Sequence, residues 1–183
     1  MRFSSRGIKV LLSTLAGVVM AIATGSLVAA PIDTSSALMS IEGTVEVSPV
    51  GTVAWQPAET GRVLTPGDRL RTGRRSRATV RLADLSVFRV NELSTLQILN
   101  QETKERKPML DLKSGSSYFF SREKPADVQI RTPVMAGAIR GTEFNLTVDT
   151  NGESRLTLID GEVVLTNDQG QLVLKSGEEG QAV

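Results

Sequence analysis

The 183-residue sequence has no cysteine and no histidine, and its aromatics are one Trp, one Tyr and five Phe. Without cysteine there are no disulfides, no thiol nucleophile and no lipid attachment at a thiol. Without histidine the chain lacks the side chain that most readily moves protons near neutral pH, so triads and imidazole-based acid/base catalysis are excluded. Losing both also removes nearly every zinc, copper or iron site. With so few aromatics, Val, Leu and Ile must build the core. What is present is ordinary for a globular chain: 40% hydrophobic and 22% charged residues argue against disorder and against a polytopic membrane protein. The length suits one domain.

The first residues read as an address. Arg2, Arg6 and Lys9 precede a stretch, Val10 to Ile32, without a single charge. The basic start, the apolar run to about Ala23 and the small-residue end at Ala29 and Ala30 predict a Sec-type signal peptide over residues 1–30. Pro31 disfavours cutting after Ala30, so cleavage is expected after Ala29. The two N-terminal arginines are not adjacent, which leaves a twin-arginine signal unsupported. The competing reading is an uncleaved anchor helix in the inner membrane with the remainder facing the periplasm, because the 23 uncharged residues can span a hydrocarbon core of about 30 Å. Either way the rest is placed in the periplasm or cell envelope, touching membrane only through that segment. Removing residues 1–30 takes three of the 21 basic residues and no acid, leaving 18 basic against 20 acidic. A near-neutral exported domain argues against a nucleic-acid partner.

Residues 31–40 are small and polar without periodicity and read as a linker. From Ile41 onward the period is two. Ala78, Val80, Leu82, Phe88 and Val90 share one parity while Arg75, Arg77, Thr79, Arg81 and Arg89 hold the other, the mark of half-buried strands. Phe144, Leu146 and Val148 repeat the signal, as does Leu172 with Leu174. Turn formers fall between the runs at Pro66-Gly67-Asp68, Thr72-Gly73, Asp149 to Gly152, Asp160-Gly161 and Asn167 to Gly170. Asn100 to Pro108, a charged run, reads as a solvated loop between strands. A weak, unequally spaced self-similarity joins Ile41-Glu42-Gly43-Thr44-Val45, Leu112 to Gly115, Ile159 to Val163 and Leu174 to Gly177. The expected fold is therefore all-β: an irregular, β-helix-like solenoid of short strands over 41–183, with a β-sandwich as the alternative.

An ordered set of blocks carries a resemblance. Gly43-Thr44-Val45, Trp55-Gln56-Pro57-Ala58, Leu64 with Gly67-Asp68, Arg71-Thr72-Gly73 and Ser76-Arg77-Ala78, then Thr132-Pro133, Ile139 to Phe144 and Asp160 to Val163 together resemble the FecR domain family over about residues 41 to 180. The resemblance implies a periplasmic, solenoid-like fold used for protein–protein signalling across the bacterial envelope. The best-known members relay the state of an outer-membrane siderophore receptor to a cytoplasmic sigma factor. Those regulators carry a cytoplasmic anti-sigma domain before the membrane span, whereas nine residues precede the apolar segment here, and they continue past the solenoid into a small α/β portion. The expectation is a FecR-like protein without the anti-sigma domain, truncated at its C-terminus. At Asp84-Leu85-Ser86 the family commonly has Gly in the middle. Leu disfavours positive φ, so another turn type is expected there.

No constellation for catalysis, cofactor or metal is found, and the chain reads as a binding module. Seven arginines lie between Arg62 and Arg81 with Asp68 as the sole acid. Strand parity would put Arg69, Arg71, Arg75, Arg77 and Arg81 on one solvent face able to attract an acidic protein, phospholipid headgroups or an anionic glycan; a merely solvated face is the plain alternative. Arg140 beside Gly141 could clamp a carboxylate or phosphate, or Gly141 could simply permit a tight corner. Trp55 reads as an exposed partner or sugar platform, or as a cap on the core. Asp149 to Glu153 resembles the start of a calcium loop but lacks its later ligands, and a hairpin turn explains it better. The partner expected is another envelope protein, with peptidoglycan or another anionic glycan as the alternative.

Overall fold

The computed structural model describes residues 35–99, 108–121 and 125–183. The segment read as signal peptide or anchor and the charged run 100–107 lie outside the described residues. Within them every regular element is a strand, so the fold is all-β. In chain order these are β1 (Ser36–Glu42), β2 (Val45–Ser48), β3 (Gln56–Pro57), β4 (Val63–Leu64), β5 (Arg69–Thr72), β6 (Arg77–Arg81), β7 (Val87–Val90), β8 (Thr95–Ile98), β9 (Met109–Phe120), β10 (Ala126–Arg131), β11 (Ala136–Val148), β12 (Ser154–Asn167), β13 (Gly170–Lys175) and β14 (Glu179–Ala182). β1 begins inside the stretch read as linker: Leu38 is buried and pairs with Val80. The small residues around it hid a strand that sends Leu38 into the core and packs Ile41 against it.

All fourteen strands belong to one open sheet, and every pairing is antiparallel except that of β9 with β10. The register divides it into two limbs. In the first, β4, β1, β6 and β7 lead to the C-terminal halves of β9 and β11, then to the N-terminal half of β12 and β14. In the second, β3, β2, β5 and β8 lead to the N-terminal half of β9, then β10, the N-terminal half of β11, the C-terminal half of β12, and β13. The long strands β9, β11 and β12 pass from one limb to the other at Gly115, Gly141 and Gly161, where the pairing partners change. The buried apolar side chains of both limbs form one cluster, so the limbs share a single core.

Alternation explains why these segments are strands. In β6 to β8 each inward residue is Ala, Val, Leu, Ile or Phe and each outward one polar or half-exposed, so a one-residue slip in the pairing would bury Arg77, Arg81 or Arg89. Phe119 and Phe144 stack at 4.8 Å between centroids in the middle of the core and are fully buried. At about 1.5–3 kcal/mol each for burial alone, the pair ties β9 to β11. Buried hydroxyls hold the corners. Ser94 Oγ donates to Ser116 O (3.1 Å) and accepts from Ser116 N (2.9 Å), Thr72 Oγ1 accepts from Ser94 N (3.0 Å), and Ser76 Oγ accepts from Thr44 N (2.8 Å). Backbone groups that cannot continue a ladder through a bend are satisfied this way.

Two local expectations change. Leu85 does adopt positive φ (+70°), held in its turn by Asp84 Oδ1, which accepts from Ser86 N at 3.0 Å. A fold-wide register overrides the local preference of one exposed leucine. Leu172 is 47% exposed where its partner in parity, Leu174, is buried, because β13 is an end strand of the sheet and little lies beyond it.

Candidate functional site

The arginine-rich run does not stay on one face. The bend at residues 73–76 carries the chain from the second limb to the first, so Arg69 and Arg71 of β5 lie on one limb and Arg77 and Arg81 of β6 on the other. Arg75 sits in the bend itself at φ +52°, its backbone N–H donating to Glu92 Oε2 at 2.6 Å. Arg77 lies 3.7 Å from Glu42, and Arg81 Nη2 is 3.5 Å from Ser35 O. Parity along a strand was readable from sequence; the corner that resets it was not.

Arg69, Arg71 and Trp55 are brought together. The guanidinium carbons of Arg71 and Arg69 stand 4.3 and 5.3 Å from the centroid of the Trp55 ring, within the range of attraction between a cation and an aromatic face. Each arginine is also fixed from the side. Arg71 Nε donates to Glu46 Oε2 at 2.6 Å, across the β2–β5 pair in which the two residues are direct partners. Arg69 Nη2 donates to Ser48 Oγ (2.9 Å) and to Thr52 O (3.0 Å). Glu46 is held below its ordinary carboxylate pKa chiefly by the hydrogen bond from Arg71, with burial acting in the opposite direction and the charge of Arg71 adding to the lowering.

The loop that carries Trp55 is pinned underneath. The buried carboxylate of Asp68 accepts from Val50 N at 2.9 Å and from Thr65 N at 3.0 Å, which clips the turn after β2 to the turn before β5. Trp55 is half-buried and is not part of the core cluster. It forms the floor beneath two guanidiniums rather than a cap on the hydrophobic interior. Nearby Val53 is 87% exposed and Val50 58% exposed. Glu46, Ser48 and Thr52 were not singled out in the sequence; the cross-strand register that places an acid opposite Arg71 is the signal that was missing.

Arg140 lies elsewhere on the second limb, with β8, β9 and β10 between β5 and its own strand β11. There it belongs to a row of exposed charges that alternate across four strands: Asp127 faces Arg140, Arg140 faces Glu162, and Glu162 faces Lys175. Gly141 sits at a bend directly opposite Gly161. Asp149 closes a hairpin turn, its Oδ1 accepting from Asn151 N (2.8 Å) and Glu153 N (2.9 Å). Lys113 is paired with the buried Asp111 at 2.6 Å.

The second limb's outer surface can therefore do one kind of chemistry well. Arg71 spends only Nε on Glu46, and Arg69 spends only Nη2. Among the described residues the remaining guanidinium N–H donors of both have no partner. Two forks stacked on one indole, with donors to spare, are arranged to receive an oxyanion or carboxylate in two-point fashion.

Residues 68–164 match the profile of the family described as FecR protein. No curated protein matches the sequence. Among solved structures, two crystal structures of a protein from Parabacteroides distasonis described as a candidate anti-sigma factor share the fold, each with a TM-score of 0.51 and 15% identity. The similarity covers 62% and 64% of this chain and 58% and 59% of theirs, so the chain spans less than two thirds of their length.

Proposed function

Because the chain belongs to the FecR protein family, we propose that it is a non-catalytic protein-interaction module of the bacterial cell envelope, exported to the periplasm and serving trans-envelope signalling. It recognises an acidic segment of another envelope protein through Trp55, Arg69 and Arg71. The observation that carries this reading is the pair of guanidiniums fixed over one indole with unused donors. A site immobilised before binding loses little side-chain entropy on docking. Net positive charge at that point favours an acidic partner and sets its orientation. The stack of bent hairpins, solenoid-like in the sense the family resemblance implies, supplies the stiffness. The other arginines of the run are peripheral to this reading: Arg75, Arg77 and Arg81 have partners or positions of their own on a different part of the surface.

The test is a photoreactive residue at Val53, 87% exposed in the loop that carries Trp55, in the full chain expressed in bacteria. A discrete protein adduct that disappears in the Arg69→Glu, Arg71→Glu double variant, with the circular-dichroism spectrum unchanged, supports the proposal. An adduct indifferent to the charge reversal, or none, overturns it. Pelleting with purified cell-wall sacculi, abolished by the same double variant, would instead favour a glycan ligand. A reporter fused after Ala182 that is active only in the cytoplasm would remove the envelope assignment.

A further inference from the structure

The two ends of the open sheet are built differently. At one end the terminal strands β3 and β4 are two residues each, and β3 contains Pro57. Short edge strands and proline are the usual means of blocking further pairing. At the other end β13 runs for six residues, Gly170 to Lys175, without proline. Among the described residues it pairs only with β12. Antiparallel alternation points every second N–H and C=O of such a strand away from its one neighbour. Among the described residues those of Gln171 and Val173 are open, whereas those of Lys175 are taken by Glu178, whose carboxylate accepts the Lys175 N–H at 2.7 Å and whose N–H donates to the Lys175 carbonyl at 3.0 Å.

The side chains at this end are equally unfinished. Leu172 and Val173 are 47% and 45% exposed, on opposite faces of the strand. Leu172, Leu165, Met135 and Ala182 contribute the apolar part of a cavity of about 250 Å³ where the core opens between β12, β13 and β14. The row of alternating charges on the outer face, Asp127, Arg140, Glu162 and Lys175, ends on a cation. An acid in the next position would continue it.

We propose that the edge of β13 from Gly170 to Leu174 is a strand-addition site for an extended segment of another protein, one that brings an acidic residue to the Lys175 ammonium group and apolar residues beside Leu172 and Leu174. A second copy of this chain fits less well. The run Gly-Gln-Leu-Val-Leu-Lys contains no acid, so self-pairing of β13 leaves Lys175 without one. Glu179 of β14 is already bound to Arg155 at 3.3 Å and to Thr157 at 2.9 Å. The inference rests on the interaction-module reading but uses a different surface from the Trp55 stack, so each can fail alone.

The probe is a synthetic peptide with the sequence of residues 160–168, the strand that already supplies Glu162 opposite Lys175, Val163 opposite Leu174 and Leu165 opposite Leu172. It is titrated into the isotope-labelled full chain. Backbone shifts confined to residues 170–175 and the cavity rim, with slowed amide exchange in β13 and unchanged exchange in β12, support the site. A peptide with Lys in place of Glu should bind the wild-type chain about three- to fivefold more weakly and prefer the Lys175→Glu variant by a similar factor, the worth of one exposed cross-strand pair. Equal binding by a peptide N-methylated along its pairing edge, loss of protection in β12, shifts centred on Trp55, self-association through β13, or no shifts at saturating peptide would each overturn it.

Discussion

Gly161 stands opposite Gly141 across the β11–β12 pair, so close that a Cβ added to Gly161 would lie 2.4 Å from the Gly141 Cα and 2.7 Å from the Arg140 carbonyl oxygen. Both obstacles are backbone and cannot rotate away. Gly161 also has φ +124°, which L-residues avoid. Gly161→Ala should therefore lower stability by about 2–4 kcal/mol, combining conformational strain with overpacking. Gly51 makes the control: its φ is +75° but nothing lies within 4 Å of its added Cβ, so Gly51→Ala should cost only about 1 kcal/mol. Urea midpoints for the two variants measure the difference, and equal midpoints would refute the steric account of this bend.

Leu85 offers the opposite case. It holds a left-handed conformation with its side chain 46% exposed, so it pays backbone strain and buries little in return. Leu85→Gly should raise stability by about 0.5–1 kcal/mol. A fall in thermal midpoint would mean that the leucine makes contacts worth more than the strain.

Trp55 is the sole tryptophan, so its emission reports the arginine stack without interference. The hydrogen bond from Arg71 holds the Glu46 pKa below the ordinary value. The unfolded chain thus protonates Glu46 first as pH falls. The stabilisation from the pair is complete above the ordinary carboxylate pKa and is lost as pH drops through the lower folded value. Emission should stay constant down to the ordinary carboxylate range, about pH 4, and change only below it. Glu46→Gln should remove that step; a step that persists in the variant would show that another acid governs the stack.

Tyr118, also the sole residue of its type, donates a hydrogen bond to Glu143 and faces the Arg89 guanidinium at 6.0 Å. That bond, then burial, then the negative charge of Glu143 raise the phenol pKa, while Arg89 lowers it. The contribution to stability is full below the ordinary tyrosine pKa and is lost as pH rises through the higher folded one. Phenolate absorbance should appear at a higher pH in the folded chain than in urea, and Glu143→Gln should move the folded titration downward. No movement would assign the raised pKa to burial instead.

Much of this was legible from residue order alone. Alternation in Ala78 to Val90 and in Phe144 to Val148 determined which side chains are buried, because in a strand the period of two leaves only one apolar face. The Asp149 to Gly152 turn was equally readable, since Asn-Gly between alternating runs has few other uses. The missing cysteine and histidine settled which chemistries the chain cannot perform, and the ordered blocks pointed to the family that the profile match bears out. What the sequence could not determine is which strand lies beside which. Adjacency brings Glu46 to Arg71 and Trp55 over both arginines from positions up to 25 residues apart, and the bend at 73–76 divides an arginine run that looks continuous in one dimension. The unblocked edge of β13 is likewise a property of the assembled sheet. Local pattern specifies the faces of each strand; only the long-range pairing, which depends on the whole core closing at once, specifies neighbours and edges.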